Sequence, residues 1–283
     1  MEAIDAAPAA SNGDRPIGVF DSGIGGLSVL RALQAELPHE RFVYFADTAH
    51  APYGERGDAY VIERTRAVAT GLVEQHGIKA LVIACNTATA AAIHVVRAEH
   101  PSLVVVGVEP ALKPAVAASR TRHVAVLATR GTLASAKFAA LHAALAAQTA
   151  FHLVPCDGLA RAIESGDDAR IAALCAQYVG EAGRFGHGPG EIDTLVLGCT
   201  HYPLVSDVFQ RLVGTGVRLL DTGAPVAQHT RRLLASAGLL RAQTADDAPT
   251  VLLAASGDLP PLQAAASRWL PAVPLAASTS ANA

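Results

Sequence analysis

Two segments of this chain read as copies of one design: Leu81-Val82-Ile83-Ala84-Cys85-Asn86-Thr87 and Leu195-Val196-Leu197-Gly198-Cys199-Thr200-His201. Each is an apolar run of strand length, then a small residue, then a cysteine, then polar side chains. Apolar residues that follow one another without alternation need cover on both faces, the condition of a parallel strand between layers of helix. The cysteines are 114 positions apart (199 − 85). The chain therefore suggests two related halves, each with a thiol at the carboxyl end of a buried strand. Two opposed thiols suit a reaction in which a proton leaves one face of a carbon and returns on the other.

The rest of the chain repeats this grammar. Ile17–Phe20, Phe42–Phe45, Ala80–Ala84, Val104–Val108, Val124–Ala128, Phe151–Val154, Thr194–Leu197, Val217–Leu220 and Thr250–Leu253 read as strands, separated by helical patterns. In Asp58–His76, Val61, Ile62, Val68, Ala69, Leu72 and Val73 share a face, Asp58 can cap the start and Gly77 the end. This predicts an α/β fold of two similar doubly wound domains with mostly parallel sheets, ligands lying beyond the carboxyl ends of the strands. A second echo, Ile17–Gly23 against Val124–Gly131 at an offset of 107 (124 − 17), fits a duplicated unit. Since βα units resemble one another in general, chance similarity is the plain alternative. Residues 1–14 and 272–283, rich in Ala, Ser and Pro, read as flexible tails.

Composition narrows the function. A chain of 283 residues with 51% apolar residues can bury a large core, yet no apolar stretch reaches the ~18–20 residues of a membrane span. Net charge is −3 with no basic block, which argues against nucleic acid. The amino terminus lacks the pattern of a signal peptide. Four cysteines (Cys85, Cys156, Cys175, Cys199) with no C-x-x-C pair form neither a disulfide framework nor a structural zinc site. Reduced thiols and a cytoplasmic location are expected.

The chemistry-bearing segments fall at strand ends. Asp21-Ser22-Gly23-Ile24-Gly25-Gly26 follows a strand and opens a helix; its glycines permit tight turning and present backbone N–H groups toward an anion. It lacks the third glycine of a dinucleotide loop, since position 28 is Ser28, and no Gly-Lys-Ser/Thr follows. A small carboxylate is the expected occupant, and Asp21 would be repelled by it unless it served chemistry or was held by a cation. Cys85, followed by Asn86 and Thr87, starts a helix whose dipole favours a thiolate. His201, two residues after Cys199, can donate a proton or support the thiolate. Cys156 and Cys175 lack such neighbours and read as inert. Asp47 follows the second strand, and Pro52-Tyr53-Gly54 forms a turn that can place a phenol at a pocket rim. Glu164 sits in the last turn of a short helix predicted at Asp157–Ser165, where an acid opposes the macrodipole.

Together, Asp21-Ser22-Gly23-x-Gly-Gly, Pro52-Tyr53-Gly54, Cys85-Asn86-Thr87 and Gly198-Cys199-Thr200-His201-Tyr202-Pro203 resemble the cofactor-independent glutamate racemases of the aspartate/glutamate racemase superfamily, from about Ile17 to about Leu220, and more weakly at Ala255-Ser256-Gly257-Asp258. The resemblance implies two domains related by a pseudo-twofold axis and facing each other across a cleft: 15–109 plus 221–271, carrying Asp21 and Cys85, and 110–220, carrying Glu164, Cys199 and His201. It implies Cys85 as the base toward D-glutamate and Cys199 toward L-glutamate. Asp21 would assist Cys85, Glu164 and His201 would assist Cys199, and Asp47 would be a further acid near the site. Ser22, Pro52, Tyr53, Gly54, Asn86, Thr87, Thr129, Thr132 and Thr200 match the substrate-binding set, with Asp21, Cys85, Cys199 and His201. It implies L- and D-glutamate as ligands, D-glutamate supply to peptidoglycan, no cofactor and no metal; a homodimer is one assembly open to it. Leu153-Val154-Pro155-Cys156-Asp157-Gly158 departs from the family's usual Cys-Pro pairing, which bears on the register of Glu164.

Other readings stay open on the residues alone. An aspartate or other amino-acid racemase differs only in pocket shape. A non-catalytic small-anion binding protein would be expected to lose a cysteine or an assisting acid. A thiol oxidoreductase would need a resolving cysteine nearby. No lysine stands in a Schiff-base setting, so proton abstraction from an amino acid would rest on positioning and electrostatics.

Overall fold

The computed structural model describes residues 12–242, 250–271 and 275–276. Its strands are β1 (Ile17–Asp21), β2 (Phe42–Ala46), β3 (Ala80–Ile83), β4 (Val104–Gly107), β5 (His123–Ala128), β6 (Ala150–Pro155), β7 (Thr194–Leu197), β8 (Arg218–Leu220), β9 (Val251–Ala255) and β10 (Leu275–Ala276). Its helices are α1 (Leu27–Glu36), α2 (Asp58–His76), α3 (Asn86–Glu99), α4 (Leu112–Ala118), α5 (Arg130–Ala134), α6 (Ala136–Leu145), α7 (Leu159–Ser165), α8 (Asp168–Ala182), α9 (Ser206–Val213), α10 (Gly223–Ser236) and α11 (Leu259–Trp269).

Among the described residues two sheets form, and every paired strand in them is parallel: β10-β9-β2-β1-β3-β4 and β6-β5-β7-β8. The order β2-β1-β3-β4 in the first corresponds strand for strand to β6-β5-β7-β8 in the second. The two sequence echoes occupy matching places: β1 and β5 lie inside their sheets, and β3 and β7, which lead into Cys85 and Cys199, each lie next to them.

The continuous apolar runs have the expected cause. Along β3, Ala80 and Val82 face one core cluster while Leu81 and Ile83 face another, packed with Val61, Val68 and Leu72 of α2. Strand positions thus need apolar side chains on both faces. The bounds of α2 match the sequence pattern. Gly77 ends it at φ +57°, a left-handed conformation that glycine adopts without steric strain, whereas the residue in the capping position is Gly57 rather than Asp58. The α7 helix starts at Leu159, two residues later than expected, after Gly158 at φ +78°.

Past β8 the chain returns to the first sheet. α10 packs on α1 and β4, and β9 pairs with β2 through Ala46↔Ala255. Of the stretch 1–14, Asn12–Asp14 forms a 3-10 turn, with Lys79 Nζ donating to the Gly13 carbonyl at 2.6 Å. In 272–283, Leu275–Ala276 pairs with β9, which corrects the expectation of a tail at those residues. The remainder of both stretches lies outside the described residues. No helix among the described residues is long and apolar enough to cross a membrane.

Candidate active site

The carboxyl ends of both sheets converge on one cavity of about 60 Å³, walled by both cysteines of the repeated segments. From the first sheet come Ser22 after β1, Pro52, Tyr53 and Gly54 after β2, and Cys85, Asn86 and Thr87 after β3. From the second come Thr129 after β5, and Cys199, Thr200 and His201 after β7.

Cys85 is itself the N-cap of α3, its Sγ accepting from the Ala88 N–H at 3.5 Å. The Ser22 hydroxyl lies 3.6 Å from the same sulfur. Burial pushes the Cys85 thiol up to about 12, and the nearby Asp21 charge pushes the same way. The helix terminus does not win here: the few donors offered to Cys85 fall short of its desolvation, so the neutral thiol is the resting form. Asn86 is buried and neither its Nδ2 nor its Oδ1 has a partner within the protein. Buried polar atoms are normally satisfied, so this amide is set to bond a ligand.

Cys199 has different company. Its Sγ lies 3.6 Å from Nδ1 of His201, whose Nε2 lies 2.6 Å from Oε1 of Glu164. Burial disfavours a charged imidazole, but hydrogen bonds to Cys199 and Glu164 outweigh it and hold the His201 pKa well above its ordinary value. The imidazolium is therefore the resting form at neutral pH. The Glu164 register that Cys156-Asp157-Gly158 leaves open is set by α7, whose last turn delivers the carboxylate to this ring.

Asp21 lies fully buried behind the cavity wall. Its Oδ1 accepts from the Gly23 N–H at 2.8 Å and its Oδ2 from the Thr200 hydroxyl at 3.0 Å. Burial raises its carboxyl to about 6, against the pull of the His201 charge and the Gly23 N–H. Expected beside Cys85, Asp21 thus also bonds the loop that carries Cys199.

Three expectations change. The Gly-rich loop has the pattern of a cradle for a ligand anion, but two of its N–H groups are taken by the chain's own carboxylates: Gly23 by Asp21, and Ile24 by Glu164 at 2.8 Å. Asp47, expected as an acid near the reaction, has both oxygens occupied. Arg64 binds it through two nitrogens at 3.1 and 3.0 Å, and the Tyr53 hydroxyl donates to it. Burial works against the Asp47 charge, yet these bonds hold its carboxyl below the ordinary range. Asp47 fixes Tyr53 by accepting from its hydroxyl, and Tyr53 lines the cavity. Thr132 is likewise one step back: its Oγ1 accepts from the Thr129 hydroxyl at 2.9 Å, and Thr129 reaches Thr87 Oγ1 at 3.4 Å. Cys156 does line the cavity, but its Sγ donates to the Val154 carbonyl at 3.5 Å and burial raises its thiol, in keeping with an inert side chain.

Sequence reasoning missed Glu55, Arg130, Asp157 and Arg161 at the mouth. Arg161 of α7 pairs with Glu55 across the two halves at 2.7 Å, and Arg130 pairs with Asp157 at 2.5 Å. Glu55 directly follows Pro52-Tyr53-Gly54, and Arg161 stands one helical turn before Glu164. Proximity to those motifs was the available signal.

The arrangement can remove and add a proton from two thiols of unlike environment in one small cavity. The chain resembles known racemases along most of its length. A glutamate racemase of Ralstonia pickettii (strain 12J) is 49% identical over 264 residues, covering 92% of this chain and 90% of the relative. The crystal structure of glutamate racemase isoform RacE1 from Bacillus anthracis superposes with TM-score 0.80 at 28% identity, covering 94% of this chain and 97% of that one. Escherichia coli glutamate racemase, in complex with L-glutamate and the activator UDP-MurNAc-ala, superposes with TM-score 0.77 at 30% identity over 94% and 98%. A sequence model of the Asp/Glu/hydantoin racemase family matches residues 17–230, a span that takes in the Cys85 and Cys199 segments, Asp21, Glu164 and His201, and the chain belongs to that family.

Proposed function

We propose that this chain interconverts L- and D-glutamate without a cofactor, by two-base proton transfer, and so supplies D-glutamate for peptidoglycan. The observation that carries this reading is the pair of thiols, Cys85 and Cys199, at corresponding strand ends of the two sheets and in one cavity. The racemases it resembles, one of them solved with L-glutamate, support the choice of substrate.

Cys199, beside the His201 imidazolium, takes the α-proton of L-glutamate, and the Cys85 thiol gives its proton to the opposite face. In reverse, Cys85 takes the proton of D-glutamate and Cys199 returns one. Glu164 holds His201, and Asp21, protonating near pH 6, exchanges charge with the Cys85 side. The unpartnered Asn86 amide and the Thr87 and Thr129 hydroxyls bind the carboxylates or the ammonium group. Without a cofactor's electron sink, the reaction rests on positioning and on electrostatics in a buried site. The domain division 15–109 plus 221–271 against 110–220 belongs to this reading, supported by the membership of the two sheets. So do a cytoplasmic location, read from the cysteine usage, and a homodimer; sedimentation measures the latter.

The deciding experiment runs the reaction in deuterium oxide from L-glutamate. Early D-glutamate should carry deuterium at Cα while remaining L-glutamate stays unlabelled. Equal early label in both enantiomers would mean one base rather than two, and no D-glutamate at all would end the reading.

A further inference from the structure

Three glycines stand in the β1–α1 loop at Gly23, Gly25 and Gly26, yet none has a positive φ; among the described residues positive φ falls on other glycines and on Arg122. Backbone freedom therefore does not explain them. Space does. A Cβ on Gly23 would lie 2.8 Å from the carboxyl carbon of Glu164, with Oε1 closer still. A Cβ on Gly25 would lie 2.6 Å from Cε1 and 2.8 Å from Cγ of the His201 ring. Side chains of the second half thus lie directly on the backbone of the first. Gly26 differs, since its Cβ would meet Asp21 and Tyr44 of its own half.

The contact is bonded as well as close. Between the two glycines, the Ile24 N–H donates to Glu164 Oε1 at 2.8 Å, the same oxygen that lies 2.6 Å from His201 Nε2. On either side, Thr200 donates its hydroxyl to Asp21, and the Ser28 hydroxyl donates to the Thr200 carbonyl at 2.8 Å. Tyr44 holds the loop itself through the Gly23 carbonyl at 2.7 Å.

We propose that Gly23-Ile24-Gly25 is a steric and hydrogen-bonding cradle that the first half lends to the proton relay of the second, so that Glu164 and His201 are aligned on Cys199 only while the two halves are closed on each other. Gly23 and Gly25 are positioning residues, acting through Glu164 and His201. Proton transfer at Cys199 is thereby tied to closure, whereas Cys85, supported by Ser22 and the Ala88 N–H of its own half, carries its own support. This rests on the two-base reading above, and the test separates the two.

The test is a double-mutant cycle in the full chain: wild type, Gly23→Ala, Glu164→Ala, the double variant, and Gly57→Ala as a control, because a Cβ at Gly57 meets nothing within 4 Å. If Gly23 acts through Glu164, Gly23→Ala lowers kcat by roughly 10²-fold in the wild-type background, as for lost acid–base help, and raises the isotope effect with Cα-deuterated L-glutamate above that with D-glutamate. In the Glu164→Ala background, where the clashing carboxylate is gone, the same change should cost less than about threefold, since a shared mechanism is not additive. Equal losses in both backgrounds, or a loss matched by Gly57→Ala, overturn the proposal. Should Gly23→Ala fail to fold while the double variant folds, the clash with Glu164 is confirmed; should neither fold, the glycine serves the backbone and the proposal fails. If wild type does not racemise glutamate, the functional reading is lost, and the cradle is then decided by melting temperature, which Gly23→Ala should lower only when Glu164 is present.

Discussion

Asp21 gives the sharpest quantitative expectation, because its burial sets a stability and a function against each other. Its carboxyl sits at about 6 in the folded chain against 3.8 for the ordinary group, raised by burial. A raised acid binds its proton more tightly folded than unfolded, so between the two values the folded state holds more protons and stability falls as pH rises. The gap between those two values corresponds to about 3 kcal/mol of lost stability, fully present above pH ~7 and gone below pH ~3.5. Asp21→Asn removes the charge and keeps the shape. Its amide oxygen still accepts from the Gly23 N–H, and its amide group still faces the Thr200 hydroxyl, which can rotate to accept. The variant should therefore be more stable than wild type by about 2–3 kcal/mol at pH 8, a rise in melting temperature of roughly 4–8 °C, shrinking to about 1 kcal/mol near pH 4.5. The same variant should lose roughly 10²-fold or more in kcat, with the D-to-L direction slowed more. Both enantiomers have equal free energy, so kcat/KM must fall equally in the two directions and the asymmetry must show in kcat and in isotope effects. Urea denaturation at pH 8 and pH 4.5, with racemisation followed by circular dichroism, reads both. A variant no more stable than wild type at pH 8, or one whose gain does not shrink as pH falls, would refute the burial argument.

Alkylation by a mild thiol reagent at pH 7 should modify Cys199, beside its imidazolium, before Cys85, whose thiol is held at about 12; peptide mapping showing Cys85 first would reverse the assigned resting forms. Lys79→Met should destabilise by about 3–5 kcal/mol in urea denaturation, because Lys79 Nζ and Glu40 Oε2 pair at 2.5 Å with both side chains buried and the orphaned charge must stay buried. Converting the pair together to Lys79→Met/Glu40→Gln should recover most of that loss. Activity should survive chelators and carbonyl reagents; loss restored by a metal or by pyridoxal phosphate would contradict proton transfer between two thiols alone.

Legibility of the sequence followed locality. Cys85 and Cys199 could be placed because a strand end and a helix start are written in adjacent residues, and both cysteines line the cavity. Helix α2 could be bounded because Gly77 punctuates its own neighbourhood. The purpose of the β1–α1 glycines could not be read, because the groups that require them, Glu164 and His201, lie far along the chain in the other half. Their sequence pattern matches an anion loop in chemistry, and carboxylates do occupy it, but they are the protein's own. Asp47 misleads for a similar reason. Its partner Arg64 stands 17 residues on, in the first turns of α2, and nothing about an arginine on a helix announces an ion pair with a strand end. Glu55 and Arg161, 106 positions apart, are invisible on the same ground.

The two halves match in strand order yet have diverged where it matters for proton transfer. On one side stands a thiol capped by a backbone N–H and a serine, desolvated and neutral. On the other stands a thiol served by an imidazolium and a carboxylate. Mirror-image substrates do not require mirror-image bases, because the equilibrium constant is unity whatever the path. What the chemistry requires is that, at each moment, one sulfur be ready to accept a proton and the other to give one. Two identical environments would leave that choice to chance and put like charges in competition whenever both ionised. An imidazolium on one side and desolvation on the other bias the resting enzyme toward a single arrangement, Cys85 protonated and Cys199 paired with His201. Asp21, buried near Cys85, bonded to Thr200 and raised to about 6, is placed to absorb the charge when turnover exchanges the two roles.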